Sequence, residues 1–219
     1  MIRLWHAPDA RSLRVLWMLE ELGLEYDLHL VDFFDGSMRA PEFLALSPAG
    51  RVPAVEIEGE VLTESGAILE VLAERHAAAG LHRAPDHPER AKYLEYLHFG
   101  ETIGQHLANL TQSHIVLRED WMRSATVIKL ETRRLQKVLE VVAQVVAAGG
   151  WLLPSGFSAA DISVGYGVWL ARRFVAVGAV PGADAYRTRL EARPGFQRAL
   201  AANGPAQIYT RDFYEVPDG

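Results

Sequence analysis

The chain has 219 residues, 49% apolar and 23% charged, enough apolar material for a sizeable core in one large or two small domains. Lys plus Arg number 22 against 28 for Asp plus Glu, a net charge of -6 without a basic run, which argues against a nucleic-acid partner. There is no cysteine, so disulfides, thiolate metal sites and a cysteine nucleophile are excluded, and any thiol chemistry must use a thiol that a ligand brings.

Residues Met1 to His6 lack the apolar run of a signal peptide. The most apolar late stretch, residues 138–148, is too short for a membrane span and contains Glu140 and Gln144. A cytoplasmic location without a membrane partner is expected.

In chain order, Ile2 to Trp5 is a short apolar run that predicts a strand, broken by Ala7-Pro8-Asp9-Ala10. From Ser12 to Leu22, Val15, Leu16, Leu19 and Leu22 fall at helical spacing, and Gly23 suits the position after a helix end. Tyr26 to Val31 alternates like a half-buried strand, and a short helix is expected near Pro41 to Leu46. Residues 53–57 alternate, Glu58-Gly59-Glu60 can turn and Val61-Leu62-Thr63 can return, a hairpin followed by a helix from about Ser65 to His76.

This order predicts an α/β N-terminal domain of βαβ-α-ββα type, a thioredoxin-like arrangement, over residues 1–78. Residues 79–88, with Gly80, Pro85 and Pro88, are expected to form a linker. Residues 89–219 are helical in pattern, an all-α C-terminal bundle. Ile128, Leu135, Val138, Val142 and Val145 keep one face of a long helix, and the helix from Ala159 to about Val175 is apolar nearly all round, as a central buried helix would be.

Two segments carry the chemistry. Ser47-Pro48-Ala49-Gly50-Arg51-Val52-Pro53-Ala54-Val55 is followed by Leu62-Thr63-Glu64-Ser65-Gly66-Ala67-Ile68. A proline at the start of a strand can hold a cis bond, and the N–H groups and dipole at a helix start favour an anion. Taken singly, Pro53 is equally suited to open an edge strand and Ser65 to cap a helix.

Together the segments resemble the "P-x-G-x-V-P" and "E-S-x-A-I" stretches of cytosolic glutathione transferases of the bacterial and fungal theta-like type. The resemblance implies a cis Val52-Pro53 bond that turns the Val52 main chain toward solvent. Glutathione's cysteinyl unit would pair there as an added strand, with Arg11, Arg51, Val52, Pro53, Glu64 and Ser65 as the glutathione-binding set. The γ-glutamyl carboxylate would dock on Ser65, with Glu64 near the ligand's amino group.

Residues 5–26 are similar to the first strand, loop and helix of the same family, whose loop often reads "S-R-(A/S)-x-R-(V/L)-L-W". The leading serine there hydrogen-bonds the glutathione sulfur. With Arg11 and Arg14 in register, Ala10 stands in that place and Ser12 is the nearest hydroxyl, which makes Ser12 the candidate catalytic residue; it is equally suited to be a helix N-cap. Ser158 with Asp161 reads as a capping box and resembles the family's structural "S-x-A-D-I" motif.

The resemblance implies a glutathione transferase that promotes the thiolate of reduced glutathione and conjugates it to hydrophobic electrophilic small molecules. Glutathione is then a co-substrate, no tightly bound cofactor or metal is expected, and a homodimer is implied. Tyr96, Phe99 and His106 would line the acceptor pocket. His98, His106 and His114 recur every eight residues, a drift of about 80° per step on a helix, so they do not converge on a metal. Two alternatives remain open: a glutathione-dependent disulfide reductase or peroxidase, and a non-catalytic binding or regulatory protein of this fold, which Ala10 favours.

Overall fold

The computed structural model describes residues 1–147 and 150–217; residue 148, where the apolar stretch named above ends, lies outside them. Two compact units emerge, one of residues 1–85 with 191–207, the other of residues 86–190 with the C-terminal segment from Ile208.

In the first unit a four-stranded sheet has the order β2-β1-β3-β4, formed by β1 (Ile2–His6), β2 (Tyr26–Leu30), β3 (Ala54–Ile57) and β4 (Glu60–Thr63). β1 runs parallel to β2 and antiparallel to β3, which forms a hairpin with β4. The parallel pair needs a crossover, and α1 (Ser12–Leu22) supplies it. That helix is buried from Ser12 to Leu19, then stops at Gly23, whose φ of 63° lets the chain turn back onto the carbonyls of Leu19 and Glu20. α2 (Pro41–Leu46) and α3 (Ser65–Arg75) complete the predicted βαβ-α-ββα order.

This unit also contains a helix that sequence reading places with the C-terminal bundle, here α8 (Pro194–Ala202), which packs on α1. Arg193 grips the Glu21 carboxylate with two hydrogen bonds of 2.8 Å, and Phe196 meets Trp17 edge-on at 4.6 Å. Gly195 permits the approach, since a Cβ there would sit 2.6 Å from Glu21 Cδ. An apolar helix face and a bidentate ion pair decide the partner, and neither is visible in local periodicity.

The second unit is built from α4 (Arg90–Thr111), α5 (Ala125–Val145), α6 (Ala159–Ala171) and α7 (Pro181–Glu191). Every residue of α6 is buried, as its uniform apolarity requires. α6 lies close along α4: a Cβ on Gly100 would fall 2.1 Å from Ser163 Oγ. The capping box forms, with Asp161 accepting from the Ser158 N–H at 2.9 Å, the Leu152 N–H at 3.0 Å and the Tyr186 hydroxyl at 2.8 Å. No helix among the described residues is long and apolar enough to cross a membrane.

Candidate functional site

Strand register assembles the site. Ala54 pairs with Thr63 across the hairpin, so Val52 and Pro53, just before β3, lie beside Glu64 and Ser65, just after β4. Trp5 pairs with Ala54 on the other flank, which brings Ala7 and the loop behind it to the same end of the sheet. The Val52-Pro53 bond is cis. Among the described residues neither main-chain group of Val52 has a protein hydrogen-bond partner, while its side chain packs on the cluster of Ala7, Val31 and Phe43. Ser47 holds the approaching loop: its Oγ donates to the Arg51 carbonyl at 2.8 Å and accepts the Arg51 N–H at 3.2 Å, leaving the Arg51 side chain exposed.

Glu64 is exposed and takes the N-cap position of α3 with φ 69° and ψ 104°, a conformation that costs a non-glycine residue on the order of 1–3 kcal/mol. Its side chain does not cap the helix. Ser65 follows, 3% exposed, and its Oγ accepts from Arg14 Nη1 at 3.0 Å. Arg14 is wholly buried on the inner side of α1. Sequence reading leaves Arg14 aside; the signal was there, a cation within the apolar run Leu13-Arg14-Val15-Leu16-Trp17.

Ser12 is placed differently from expectation. It is wholly buried, and its Oγ lies 2.8 Å from His6 Nδ1 and 3.2 Å from the Ala7 N–H. Its hydroxyl is engaged within the β1–α1 loop, and the N-cap position of α1 belongs to the half-buried Arg11. The other ring nitrogen of His6 lies 3.2 Å from the Asn203 carbonyl. That carbonyl can only accept, so Nε2 carries the proton and Nδ1 accepts from Ser12. Burial pushes the His6 imidazole down to about 4.

Asn203 also holds Asp9, accepting its N–H at 3.0 Å and donating to its carboxylate at 2.9 Å. Asp9 has φ 60°, a left-handed conformation that Asp tolerates better than most residues. Sequence reading misses His6, Asp9 and Asn203 as a group, because Asn203 lies nearly the whole chain away from its partners.

The expected acceptor residues Tyr96, Phe99 and His106 all lie on α4. His106 Nδ1 lies 2.8 Å from Glu131, which also accepts from Asn109 at 3.1 Å and Arg134 at 2.7 Å. Burial alone would raise the Glu131 carboxyl, but these hydrogen bonds outweigh it and the net shift is downward. Tyr96 and Phe99 are half-buried on α4, and His98 is exposed. A cavity of about 680 Å³ within the helical unit is lined by His114, Arg123, Ile128, Arg211, Phe213 and Tyr214 among others, and by none of Tyr96, Phe99 and His106. His106 ties α4 to α5 through Glu131. Among the described residues no group of three or more His, Asp or Glu is placed to hold a metal ion.

A thioredoxin-like sheet that offers an open main-chain edge beside a helix tip defines a class of proteins, and comparison with known proteins agrees. The sequence profile of the glutathione S-transferase N-terminal domain matches residues 10–75. Glutathione S-transferase 3 of Zea mays is 31% identical, covering 92% of this chain and 94% of that protein. The disulfide-bond oxidoreductase YfcG of Escherichia coli is 32% identical, covering 91% and 94%. A glutathione transferase of Burkholderia graminis, solved with two glutathione molecules bound per subunit, superposes with a TM-score of 0.80 at 28% identity, over 92% of this chain and 88% of that one. The chain belongs to the glutathione S-transferase family.

Proposed function

We propose that the chain binds reduced glutathione at this end of the sheet and transfers its thiolate to an electrophilic small molecule. The observation that carries this reading is the register that sets the unpaired main chain of Val52 beside Ser65 at the tip of α3. The cysteinyl unit pairs with Val52 as an added strand, and the γ-glutamyl carboxylate sits on Ser65 and the leading N–H groups of α3. A free thiol titrates at about 8.5 and is mostly un-ionised at neutral pH. With the Ser12 hydroxyl engaged by His6, the start of α1 stabilises the thiolate through the Ser12 main-chain N–H and the helix dipole. The thiol proton passes to solvent, the sulfur forms a bond to the electrophilic carbon, and the leaving group departs with its electron pair. Association as a homodimer belongs to this reading by kinship, and sedimentation tests it.

Calorimetry with reduced glutathione and turnover of an aryl halide test the proposal together. Binding at millimolar concentration or tighter with measurable thioether formation supports it; no heat and no thermal shift at millimolar glutathione overturns it.

A second reading is disulfide exchange, which the inward-facing Ser12 favours because no side-chain hydroxyl is committed to the sulfur. The kinship with YfcG and with a subunit that holds two glutathione molecules supports it. One bound glutathione thiolate attacks a mixed glutathione disulfide and forms glutathione disulfide, and the substrate thiolate leaves and takes a proton. Faster turnover of a mixed disulfide than of aryl halides or hydroperoxides would favour this reading.

A further inference from the structure

We propose that Arg14 is a positioning residue that turns the Ser65 hydroxyl into a donor aimed at the carboxylate of the γ-glutamyl unit. The inference rests on the proposed glutathione site and specifies how that site reads its ligand. A guanidinium has five N–H donors and no acceptor, so Ser65 Oγ accepts at the 3.0 Å contact with Arg14. The serine's own proton is then free to point elsewhere. A serine without such a neighbour can spend its proton on a nearby carbonyl; this one is held by a charge-assisted bond that polarises its O–H.

The surroundings fit one direction for that proton. Arg14 approaches from the interior, wholly buried on α1, and α1 packs against α3. Ser65 is the first residue of α3, an 11-residue helix whose N-cap side chain makes no capping bond. The leading N–H groups of a helix lack intrahelical partners and point toward the N-terminal side. Next to Ser65, a Cβ on Gly66 would meet nothing within 4 Å, so the mouth of the helix tip is open. Hydroxyl proton, leading amides and helix dipole therefore converge on one opening, with a buried positive charge behind them. An acidic group that accepts several hydrogen bonds at once, such as an α-carboxylate, satisfies that set; a neutral or cationic group does not.

The geometry also assigns a selectivity. The contact of Arg14 at the α3 tip is with Ser65 Oγ, so its loss should be felt by the γ-glutamyl carboxylate more than by the cysteinyl main chain at Val52. A merely structural bridge between α1 and α3 would weaken every ligand alike.

The test is calorimetry of the full chain with reduced glutathione and with the analogue lacking the α-carboxylate of its γ-glutamyl unit, and thermal melting verifies the fold of each variant. Arg14→Gln should weaken glutathione about tenfold and change the analogue by less than about twofold. In a Ser65→Ala background the same change should add less than about twofold, because the two residues act as one unit. If Arg14→Gln fails to fold, Arg14→Lys replaces it, with a smaller loss expected for glutathione alone. Equal weakening of both ligands, or discrimination as in the unaltered chain, overturns the role of Arg14. Equal affinity of the unaltered chain for both ligands overturns the carboxylate anchor, and with it this role, while the Val52 pairing stands. No binding of either ligand overturns the glutathione site itself, and the role of Arg14 with it.

Discussion

Two helix starts in this chain are built in opposite ways. At the start of α6, Ser158 and Asp161 cap each other, and Asp161 accepts from Leu152, Ser158 and Tyr186 in the protein interior. At the start of α3, Glu64 holds a left-handed backbone conformation, makes no capping bond and stays exposed, while Ser65 is bonded from behind by Arg14. The first end is closed, with its polar groups answered from within the chain. The second is open, with its donors directed outward. A closed end contributes only stability; an open one beside an unpaired main chain is suited to an anionic peptide.

The sharpest way to break this contrast is at the closed end. Asp161→Ala would leave the Leu152 and Ser158 amides and the Tyr186 hydroxyl without their acceptor in the core, for an expected loss on the order of 3–5 kcal/mol in urea unfolding. An equally large loss for Ser65→Ala would erase the distinction between the two ends.

A second test concerns the clasp behind the β1–α1 loop. The unfolded chain takes a proton on His6 near its ordinary value of 6.5, whereas the folded chain resists until about 4. Stability carried by neutral His6 is therefore complete above about pH 6.5 and declines as pH falls toward 4, by about 3 kcal/mol in total. His6→Gln should flatten that part of the stability profile; the same slope in both chains would show that the clasp does not titrate.

At the open end, Ser65→Ala should raise the glutathione dissociation constant about tenfold and, by taking an acceptor from buried Arg14, cost about 1–3 kcal/mol of stability, less than at Asp161, as calorimetry and melting would show. The smallest expected effect is at Ser12. Ser12→Ala leaves His6 Nδ1 unpaired and should cost about 1–2 kcal/mol of stability, with turnover falling no more than the folded fraction. A collapse of turnover with stability intact would return Ser12 to the sulfur.

Much of the architecture was legible because it rests on local rules. The span of α1, the hairpin around Glu58 and Gly59, and the capping box of α6 follow from periodicity, turn residues and cap chemistry. The cis bond and the nearness of Val52 to Ser65 were legible only through the resemblance and the hairpin pairing, which puts the two at one sheet end. What stayed hidden depends on distant partners. Ser12 looks like a surface hydroxyl at a helix start, yet His6, an inward-facing residue of β1, claims it. Asn203 gives no local sign that it holds Asp9. α8 reads as one more helix of the bundle until the Arg193 fork on Glu21 assigns it to the first unit. The bond between His106 and the buried carboxylate of Glu131, 25 positions away on another helix, has no local sign either.

A crystal of this protein grown or soaked with reduced glutathione bears most directly on the open end. The tripeptide's cysteinyl N–H and C=O should pair with the main chain of Val52, with its γ-glutamyl carboxylate within hydrogen-bond distance of Ser65 Oγ. A tripeptide bound elsewhere, or a carboxylate turned away from the α3 tip, would contradict the account.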